Sequence, residues 1–588
     1  MSAGTDPRQA GAAFGARLFQ ELGGVAGAAS LAAELDGAGQ CPEWILRVLD
    51  TLGLADYYIP PEFSGRPTDL EELLQVWRTL ARLDLRLVVA HGTAFPGAET
   101  VWIAGNRVQG AELAAALRSG ARARLLRIPI EPGRDPRPPH SPAAQEPECC
   151  GYPLSRTGWS VGDTAGGELL IALDRTGANG HSLLMTHWAG LEPVGPRTEA
   201  SVPGRDGADV PPLGPDGTTR PRSTLVGAEG DGLSTVLLSL QLTWTLCPAL
   251  SLGASEYALR LAGRLAAEPS PDGAALIERS AVRAVVARSA GLLAAAEAAA
   301  VLTARSAHSL TEELSVLSAA AKGLASTVAD AVLTDLAVVL GARDRSATAR
   351  PPGRPVRTLE RQHQALDRLR DTPTVRRALI NQFPQLVAGF LRGQVDRPGL
   401  RLAAASGADA GTLDRTRLAL SSRRGCSAVQ ALPALTARLA APGADHGAAP
   451  GALLLTSAEE LTWLADELHA RCAEVAAAPR PANDAYDLAA SYELLYGGAA
   501  VMHLWQAGAA DHGHEPLWRD ALWAQVALRE LITRLRDRLG LPAPVRDDLY
   551  HLAADAFATH LTDAVASGGP LTPFGVGTEA PGPGSWRE

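Results

Sequence analysis

The chain has 588 residues and a formal net charge of −10, and 46% of its residues are hydrophobic, 20% charged and 5% aromatic. This length exceeds what a single core usually supports, so we expect two to four domains of an ordinary soluble globular protein. The chain has no basic cluster with interleaved aromatic residues, which argues against nucleic acid as a partner. Lys322 is the only lysine among many arginines, a composition typical of GC-rich bacterial coding.

The six cysteines have the spacing of neither metal ligands nor a disulfide framework, so we expect reduced thiols in a cytoplasmic protein. The first residues lack an uninterrupted apolar region after a basic start, and we predict no secretory signal. We also predict no membrane span, because the apolar run from Ala290 is mostly alanine and contains Glu297.

Residues 1 to about 115 have the pattern of helices separated by turns. Apolar residues recur at helical spacing after Pro42, which suits the first turn of a helix. Thr68 is expected to cap a second helix, whose first turn contains Glu71 and Glu72.

From about residue 122 the pattern changes to an alternation of charged and apolar side chains. The segments 168–175 and 181–188 are typical of strands joined by turns. The proline-rich segment 135–148 and residues 194–218 are predicted to be exposed loops.

A loop then leads into a predominantly helical remainder. Turn-forming residues give way at Leu233 to an apolar run of helical length, which marks a domain junction. Alanine-rich segments from 233 to about 400 predict a bundle of closely packed helices. Beyond 400 a second helical block is predicted, with Ser457 and Glu460 in a capping-box arrangement.

Near the end of the chain, His512, His514 and Glu515 lie close together in the sequence. They fall in a glycine-containing loop, so we interpret them as solvent-exposed and expect no metal. The last residues, TEAPGPGSWRE, are expected to be disordered.

Four segments at matching distances resemble the acyl-CoA dehydrogenase family. Residues 52–65 and 80–84 follow the family's "leucine, glycine, leucine … proline, glutamate, x, aromatic" and "alanine, arginine, x, aspartate" patterns. Residues 222–232 follow its glycine-acid-glycine junction, and 131–135 is similar to its flavin loop.

The resemblance implies a mainly α fold with a small β middle domain. We expect an N-terminal helical domain at 1–118, a β-barrel-like domain at 119–226 and a four-helix bundle at 227–400. Residues 401–588 are expected to form an additional C-terminal helical domain with a disordered tail, similar to the extension of acyl-CoA oxidases.

The activity that the resemblance implies is α,β-dehydrogenation of an acyl thioester of CoA or a carrier protein, using FAD. A carboxylate takes the α proton while the β hydrogen leaves as hydride, so base and flavin must both contact the substrate. One alignment places Asp371 at the base position, and another places Arg370 there, which cannot act as a base. Asp371 also precedes Thr372-Pro373, a sequence that favours a turn or a helix start.

The resemblance also places flavin contacts in the middle domain, and there the sequence departs from the family. The positions are Ile130, Glu131, Gly133, Trp159, Ser160 and Val161. Ile130 and Val161 stand where the family has threonine, so two hydroxyl groups are missing, and Trp159 equally fits a hydrophobic plug of a small β core. Trp244 stands where the family has an arginine, and the family's glycine-rich turn corresponds at most to 338–344.

Two interpretations therefore stay open, together with a weaker third. The first is an FAD-dependent acyl-thioester dehydrogenase, and the second is a homologue that has lost FAD and acts as a structural or interaction subunit beside an active partner. The third is a related flavin chemistry with O₂ as oxidant. In each case we expect a homo- or hetero-oligomer, and the acyl substrate and electron acceptor stay unassigned.

Overall fold

The computed structural model describes residues 6–37, 41–66, 69–126, 152–153, 169–175, 180–187, 191–193, 213–215, 219–269, 273–344, 354–369, 371–407, 411–441, 452–477, 484–542 and 548–577. They divide into two compact units. One unit comprises residues 1–29, 69–85 and 244–588, and the other comprises 30–68 and 86–243. The chain therefore passes between the units more than once, and the bounds of the four predicted domains stay predictions.

Helices make up most of the described residues. They are α1 Pro7–Glu21, α2 Val25–Gly37, α3 Glu43–Thr51, α4 Leu70–Leu83, α5 Leu85–Gly92, α6 Ala94–Ala104, α7 Arg107–Arg118, α8 Gly232–Leu246, α9 Pro248–Ala267, α10 Ser280–Ser309, α11 Leu314–Asp344, α12 Arg354–Leu369, α13 Thr372–Ile380, α14 Phe383–Arg392, α15 Arg397–Ala404, α16 Ser427–Gln430, α17 Leu432–Ala440, α18 Ala452–Ala476, α19 Asp484–His512, α20 Leu522–Arg538 and α21 Asp548–Ser567.

The described strands all lie in the unit that contains residues 86–243. They are β1 Ala123–Leu126, β2 Tyr152–Pro153, β3 Leu169–Arg175, β4 His181–His187, β5 Leu191–Pro193, β6 Leu213–Pro215, β7 Thr219–Arg220 and β8 Leu225–Val226. Four of them form a mixed sheet in the order β1-β3-β4-β8, in which β1 is parallel to β3 and the other pairs are antiparallel. The strands predicted at 168–175 and 181–188 are thus confirmed as neighbours.

The core of this unit lies where helices α6 and α7 pack on the sheet. Leu169, Ile171 and Leu173 of β3 and Leu183 of β4 are buried in one cluster with side chains of both helices. Burial of this continuous apolar strand accounts for the apolar run in the sequence. The predicted mainly α fold with a small β part is confirmed.

The other unit is a helical bundle built around α10. This 30-residue helix packs against α9, α11, α19, α20 and α21. Its alanines from Ala294 to Ala300 are almost completely buried, because small side chains let neighbouring helices approach closely. Gly253 of α9 shows the same effect, since an added Cβ would lie 2.7 Å from backbone atoms of α4.

Three local predictions differ from the structure. Asp69, rather than Thr68, caps α4 and accepts hydrogen bonds from the amides of Glu71 at 2.8 Å and Glu72 at 3.1 Å. Ser457 lies inside α18, which begins at Ala452, so it is not a helix cap. Residues 338–344, where a turn was expected, are the last turns of α11.

Three helical stretches of the described residues are long and apolar enough to cross a membrane by length and composition. They are Gly232–Ala267, Ser280–Ser309 and Thr311–Gly341, and their most apolar windows are 72%, 89% and 56% buried inside the protein. Packing inside the protein accounts for much of this apolar surface. The absence of a membrane span stays a prediction.

Candidate functional site

The sequence places its candidate site residues in two regions, of which the structure describes one. Ile130, Glu131, Gly133, Trp159, Ser160 and Val161, the predicted flavin contacts, all lie outside the described residues. Asp371 and Trp244 lie in the helical bundle and are described. The geometry of the site is therefore derived from the bundle.

Asp371 is exposed and stands at the N-cap position of α13, with φ 36° and ψ 34°. This left-handed backbone conformation is unfavourable for a residue with a Cβ, at a cost of about 1–3 kcal/mol. The Asp371 side chain accepts no capping hydrogen bond, unlike Asp69 at the start of α4. Its carboxylate is thus not used to satisfy the helix end.

The next residue, Thr372, adds a hydroxyl without a partner. Its Oγ1 is buried and makes no hydrogen bond within the described part of the chain. An unpaired buried polar atom costs about 1–3 kcal/mol, so such atoms call for a further partner. Among the described residues, Asp371 and Thr372 together present a carboxylate not used for capping and a hydroxyl without a partner at one helix start.

Helix α13 is held in place by Arg376, one turn after Thr372. Arg376 donates to both carboxylate oxygens of Glu493 on α19, at 2.8 Å and 3.0 Å, and also to Thr327 Oγ1 on α11 at 3.2 Å. Burial raises the pKa of Glu493, although Arg376 favours its charged form. This bidentate pair fixes the helix that carries Asp371 at its N-terminus.

Lys322 on α11 is buried beside the junction of α8 and α9. It is 8% exposed, and its ammonium lies 5.5 Å from the centre of the Trp244 ring. Within the described residues, Lys322 forms no hydrogen bond or ion pair. A desolvated cation–π contact contributes about 2 kcal/mol, whereas burying a single ion costs several kcal/mol, so the ring offsets only part of the cost.

Cys247 links Lys322 electrostatically with Asp371. Burial raises the pKa of the Cys247 thiol, Lys322 lowers it and Asp371 raises it further, and burial dominates. The thiol is therefore neutral at ordinary pH and brings no negative charge to Lys322. Helix α13 also contacts α11, the helix of Lys322, because Arg376 donates to Thr327 Oγ1 at 3.2 Å.

A second polar cluster, deep in the bundle, was missed by sequence reasoning. Arg78 of α4 donates to Glu256 of α9 at 3.1 Å and to Glu297 of α10, and all three side chains are at most 2% exposed. Arg82 at 3.0 Å and Arg260 at 3.1 Å also bind Glu256. Burial favours the neutral form of Glu256, but these arginines outweigh it and lower its pKa to about 2.

This buried ion cluster also binds residues 569–577 near the end of the chain. Glu297 accepts hydrogen bonds from Thr572 Oγ1 at 2.8 Å and from the Phe574 amide at 3.1 Å. Arg82 donates to the Val576 carbonyl at 3.0 Å, and Arg260 donates to the Gly569 carbonyl at 2.8 Å. Because each charge is paired, the cluster has a structural role.

The absence of a metal at His512, His514 and Glu515 stays a prediction, and two of these residues contact each other. His512 Nδ1 lies 2.8 Å from Glu515 Oε1, and the two form a pair at the end of α19. The described residues contain no group of three or more His, Cys, Asp or Glu placed to hold a metal ion.

One solved structure of similar architecture covers nearly the whole chain, and others cover about two thirds of it. An acyl-CoA dehydrogenase from Bacillus anthracis complexed with FAD matches with a TM-score of 0.63 and 13% identity, over 95% of each chain. A structure described as an electron transferring flavoprotein of Acidaminococcus fermentans matches with a TM-score of 0.50 and 17% identity, over 64% of this chain and 97% of the other. Butyryl-CoA dehydrogenase from Megasphaera elsdenii has a TM-score of 0.48 and 15% identity, over 64% and 97%.

The protein therefore has an acyl-CoA dehydrogenase-like fold, as its sequence motifs suggested. No protein-family model matches the sequence, and no curated protein sequence matches it. At identities below 20% the similarity establishes the fold and leaves the chemistry to be argued from the site.

Proposed function

We propose that the protein is an acyl-CoA dehydrogenase-like flavoprotein that removes two hydrogens across the α,β bond of an acyl thioester. The observation that carries this proposal is Asp371, whose carboxylate is exposed and unused for capping, on a backbone held in a strained conformation. Strain of this kind clusters at functional sites, because the surrounding fold must maintain it. The fold shared with an FAD-bound acyl-CoA dehydrogenase over 95% of both chains supports the same reaction class.

In this proposal Asp371 acts as the base. Its carboxylate takes the α proton of the thioester and becomes a carboxylic acid. Because Asp371 is exposed, this acid can then release the proton to solvent. Arg376 keeps α13, and so Asp371, in one orientation through its pair with Glu493. FAD, when bound, supplies the acceptor for the β hydrogen, which leaves as hydride.

One described group is available to a cofactor or substrate. The buried Thr372 Oγ1 lacks a partner among the described residues and can donate to a ligand oxygen or nitrogen next to Asp371. Glu131, Gly133, Trp159 and Ser160, which lie outside the described residues, are proposed to contact the flavin through backbone groups and an aromatic face.

We further propose CoA or a carrier protein as the group that bears the acyl chain. The proposal includes assembly into a homo- or hetero-oligomer and a location in the bacterial cytoplasm. Three helical stretches are long and apolar enough to cross a membrane, so the absence of a membrane span is also part of this proposal.

A second candidate is a homologue without catalysis that acts as a structural or interaction subunit beside an active partner. Two positions in the sequence support this second candidate. The family resemblance leads us to expect hydroxyl donors there, but Ile130 and Val161 have only hydrocarbon side chains. The indole of Trp244 likewise replaces an expected guanidinium and packs against Lys322. In this case FAD would be lost.

The visible absorption spectrum of the purified protein separates the two candidates. A yellow protein that bleaches on addition of an acyl-CoA supports the dehydrogenase, whereas a protein that stays colourless with added FAD supports the subunit. Asp371→Asn should abolish bleaching while flavin stays bound. Glu360→Gln, an exposed change on the adjacent helix α12, is the matched control and should bleach like the natural protein.

A further inference from the structure

The single lysine of the chain is the most unusual charge in the bundle. Lys322 is buried on α11, faces the Trp244 ring at 5.5 Å, and has no anionic partner within the described residues. By contrast, the buried Arg78 is neutralised by two glutamates. Lys322 thus lacks the compensation that a buried cation normally has.

The groups around Lys322 cannot supply that compensation. The Trp244 ring attracts a cation through its quadrupole but carries no charge, and Cys247 is a neutral thiol because burial raises its pKa. Asp371 is exposed at the start of α13, and this helix is bonded to α11, the helix of Lys322, because Arg376 donates to Thr327 Oγ1 at 3.2 Å. Among the described residues, Lys322 is therefore a buried cation without an anionic partner, on a helix in contact with the one that begins after Asp371.

We propose that the Lys322 ammonium binds an oxygen of the acyl group that is negatively charged or becomes so. This inference rests on the proposed function, since it assigns a role within the same site. The oxygen has two possible sources. One is a carboxylate at the far end of a dicarboxylic acyl chain, and the other is the thioester carbonyl oxygen.

Both sources use the same chemistry at different moments. A distal carboxylate is charged throughout, so Lys322 would select substrates by charge. The thioester carbonyl oxygen gains negative charge as Asp371 removes the α proton, so Lys322 would stabilise the enolate. In both cases the Trp244 ring, 5.5 Å from the ammonium, helps to hold it in place.

The presence of one lysine allows a direct test on the full-length protein. Protein grown on lysine with carbon-13 at the ε position gives a single side-chain signal, which Lys322→Arg removes and so assigns. The probes are adipyl-CoA and hexanoyl-CoA, which have the same chain length and differ in the terminal carboxylate. Free CoA controls for contacts with the carrier group.

Each outcome decides the proposal. A signal that shifts with both thioesters and not with free CoA identifies the carbonyl oxygen, and a shift with adipyl-CoA alone identifies the carboxylate. No shift with either thioester, or an equal shift with free CoA, overturns the proposal.

Affinity provides the second measurement. Calorimetry with the preferred thioester should show binding weakened about 10-fold or more for Lys322→Met and within about 3-fold for Lys322→Arg, because arginine keeps the charge. Equal affinity of Lys322→Met and the natural protein would also overturn the proposal. The carbon-13 measurement is made on the natural protein, and a folded variant is needed only to assign the signal.

Failure of this inference and failure of the proposed function give different results. Flavin that bleaches with an unshifted lysine signal keeps the dehydrogenase and removes Lys322 from the site. A shifted lysine signal in colourless protein keeps the binding site and removes the dehydrogenase.

Discussion

Glu297 is the residue on which the buried ion cluster depends most, and Glu297→Gln tests it. Its carboxylate is fully buried and accepts from Arg78, from Thr572 Oγ1 and from the Phe574 amide. Glutamine has the same size but replaces one acceptor oxygen by an NH₂ donor. One of the three donors must then lose its partner.

The expected cost follows from the charges as well as the hydrogen bonds. With Glu297 neutral, Glu256 alone faces Arg78, Arg82 and Arg260, so the excess of positive charge in the cluster rises from one to two. Breaking a buried pair in this way costs about 3–5 kcal/mol. With an unfolding entropy of about 2.1 cal/mol/K per residue and about 400 residues in this unit, Tm should fall by about 4–6 °C.

Thermal unfolding followed by circular dichroism at a fixed scan rate measures this change. Glu467→Gln is the control, because the Arg471–Glu467 pair is about one third exposed and its loss should leave Tm unchanged within error. Limited proteolysis should also cleave within residues 569–577 sooner in Glu297→Gln, since two of its hydrogen bonds to Glu297 are affected. A Tm within 1 °C of the natural protein would refute the reasoning.

Two further changes in the same unit have defined outcomes. Burial raises the pKa of Glu313 to about 7, despite two hydrogen bonds that Ser427 donates to its carboxylate. The pKa in the folded state is therefore above the pKa in the unfolded state. The free energy of unfolding should decrease as pH rises from about 4.5 through 7, because the buried Glu313 must then become charged. Chemical denaturation from pH 5 to 8 should show this slope, and Glu313→Gln should flatten it; equal slopes would contradict the assignment. Gly253→Ala should destabilise the protein by about 1–3 kcal/mol because its Cβ meets three atoms of α4 at 2.7 Å. Gly263→Ala on the same helix meets only the side chain of Val565 at 3.1 Å, so its thermal midpoint should be unchanged, and equal effects of the two changes would exclude the close approach as the cause.

The sequence predicted helices and strands better than it predicted which side chains contact each other. The strands β3 and β4 and the alanine-rich helices followed from periodicity and composition, because those signals are local. Helix starts were less accurate, since Thr68 and Asp69 both suit a cap and only the backbone path decides between them. Ser457 failed for the same reason, because the apolar stripe of α18 extends upstream of it.

The buried charges show why the rest could not be predicted. Arg78 and Glu256 are 178 positions apart, and Glu297 binds residues 275 and 277 positions away. Periodicity shows which face of a helix is buried, but it does not identify the residue across the interface. Glu297 within an alanine run was a visible signal, and it argued for a buried partner as much as against a membrane span.

Asp371 can be separated from an ordinary helix cap by comparison with Asp69 in the same unit. Asp69 accepts two amide hydrogen bonds, so Asp69→Ala should lose about 1 kcal/mol of stability. Asp371 has no such bond and a φ of 36°, so Asp371→Gly relieves backbone strain. This gain is similar in size to the stability lost because glycine makes the unfolded chain more flexible. The free energy of unfolding should therefore be unchanged or slightly higher. Denaturant unfolding of both variants measures the difference. If Asp371→Gly lost as much stability as Asp69→Ala, Asp371 would be a structural residue, and the strain at the start of α13 would no longer support its role as a base.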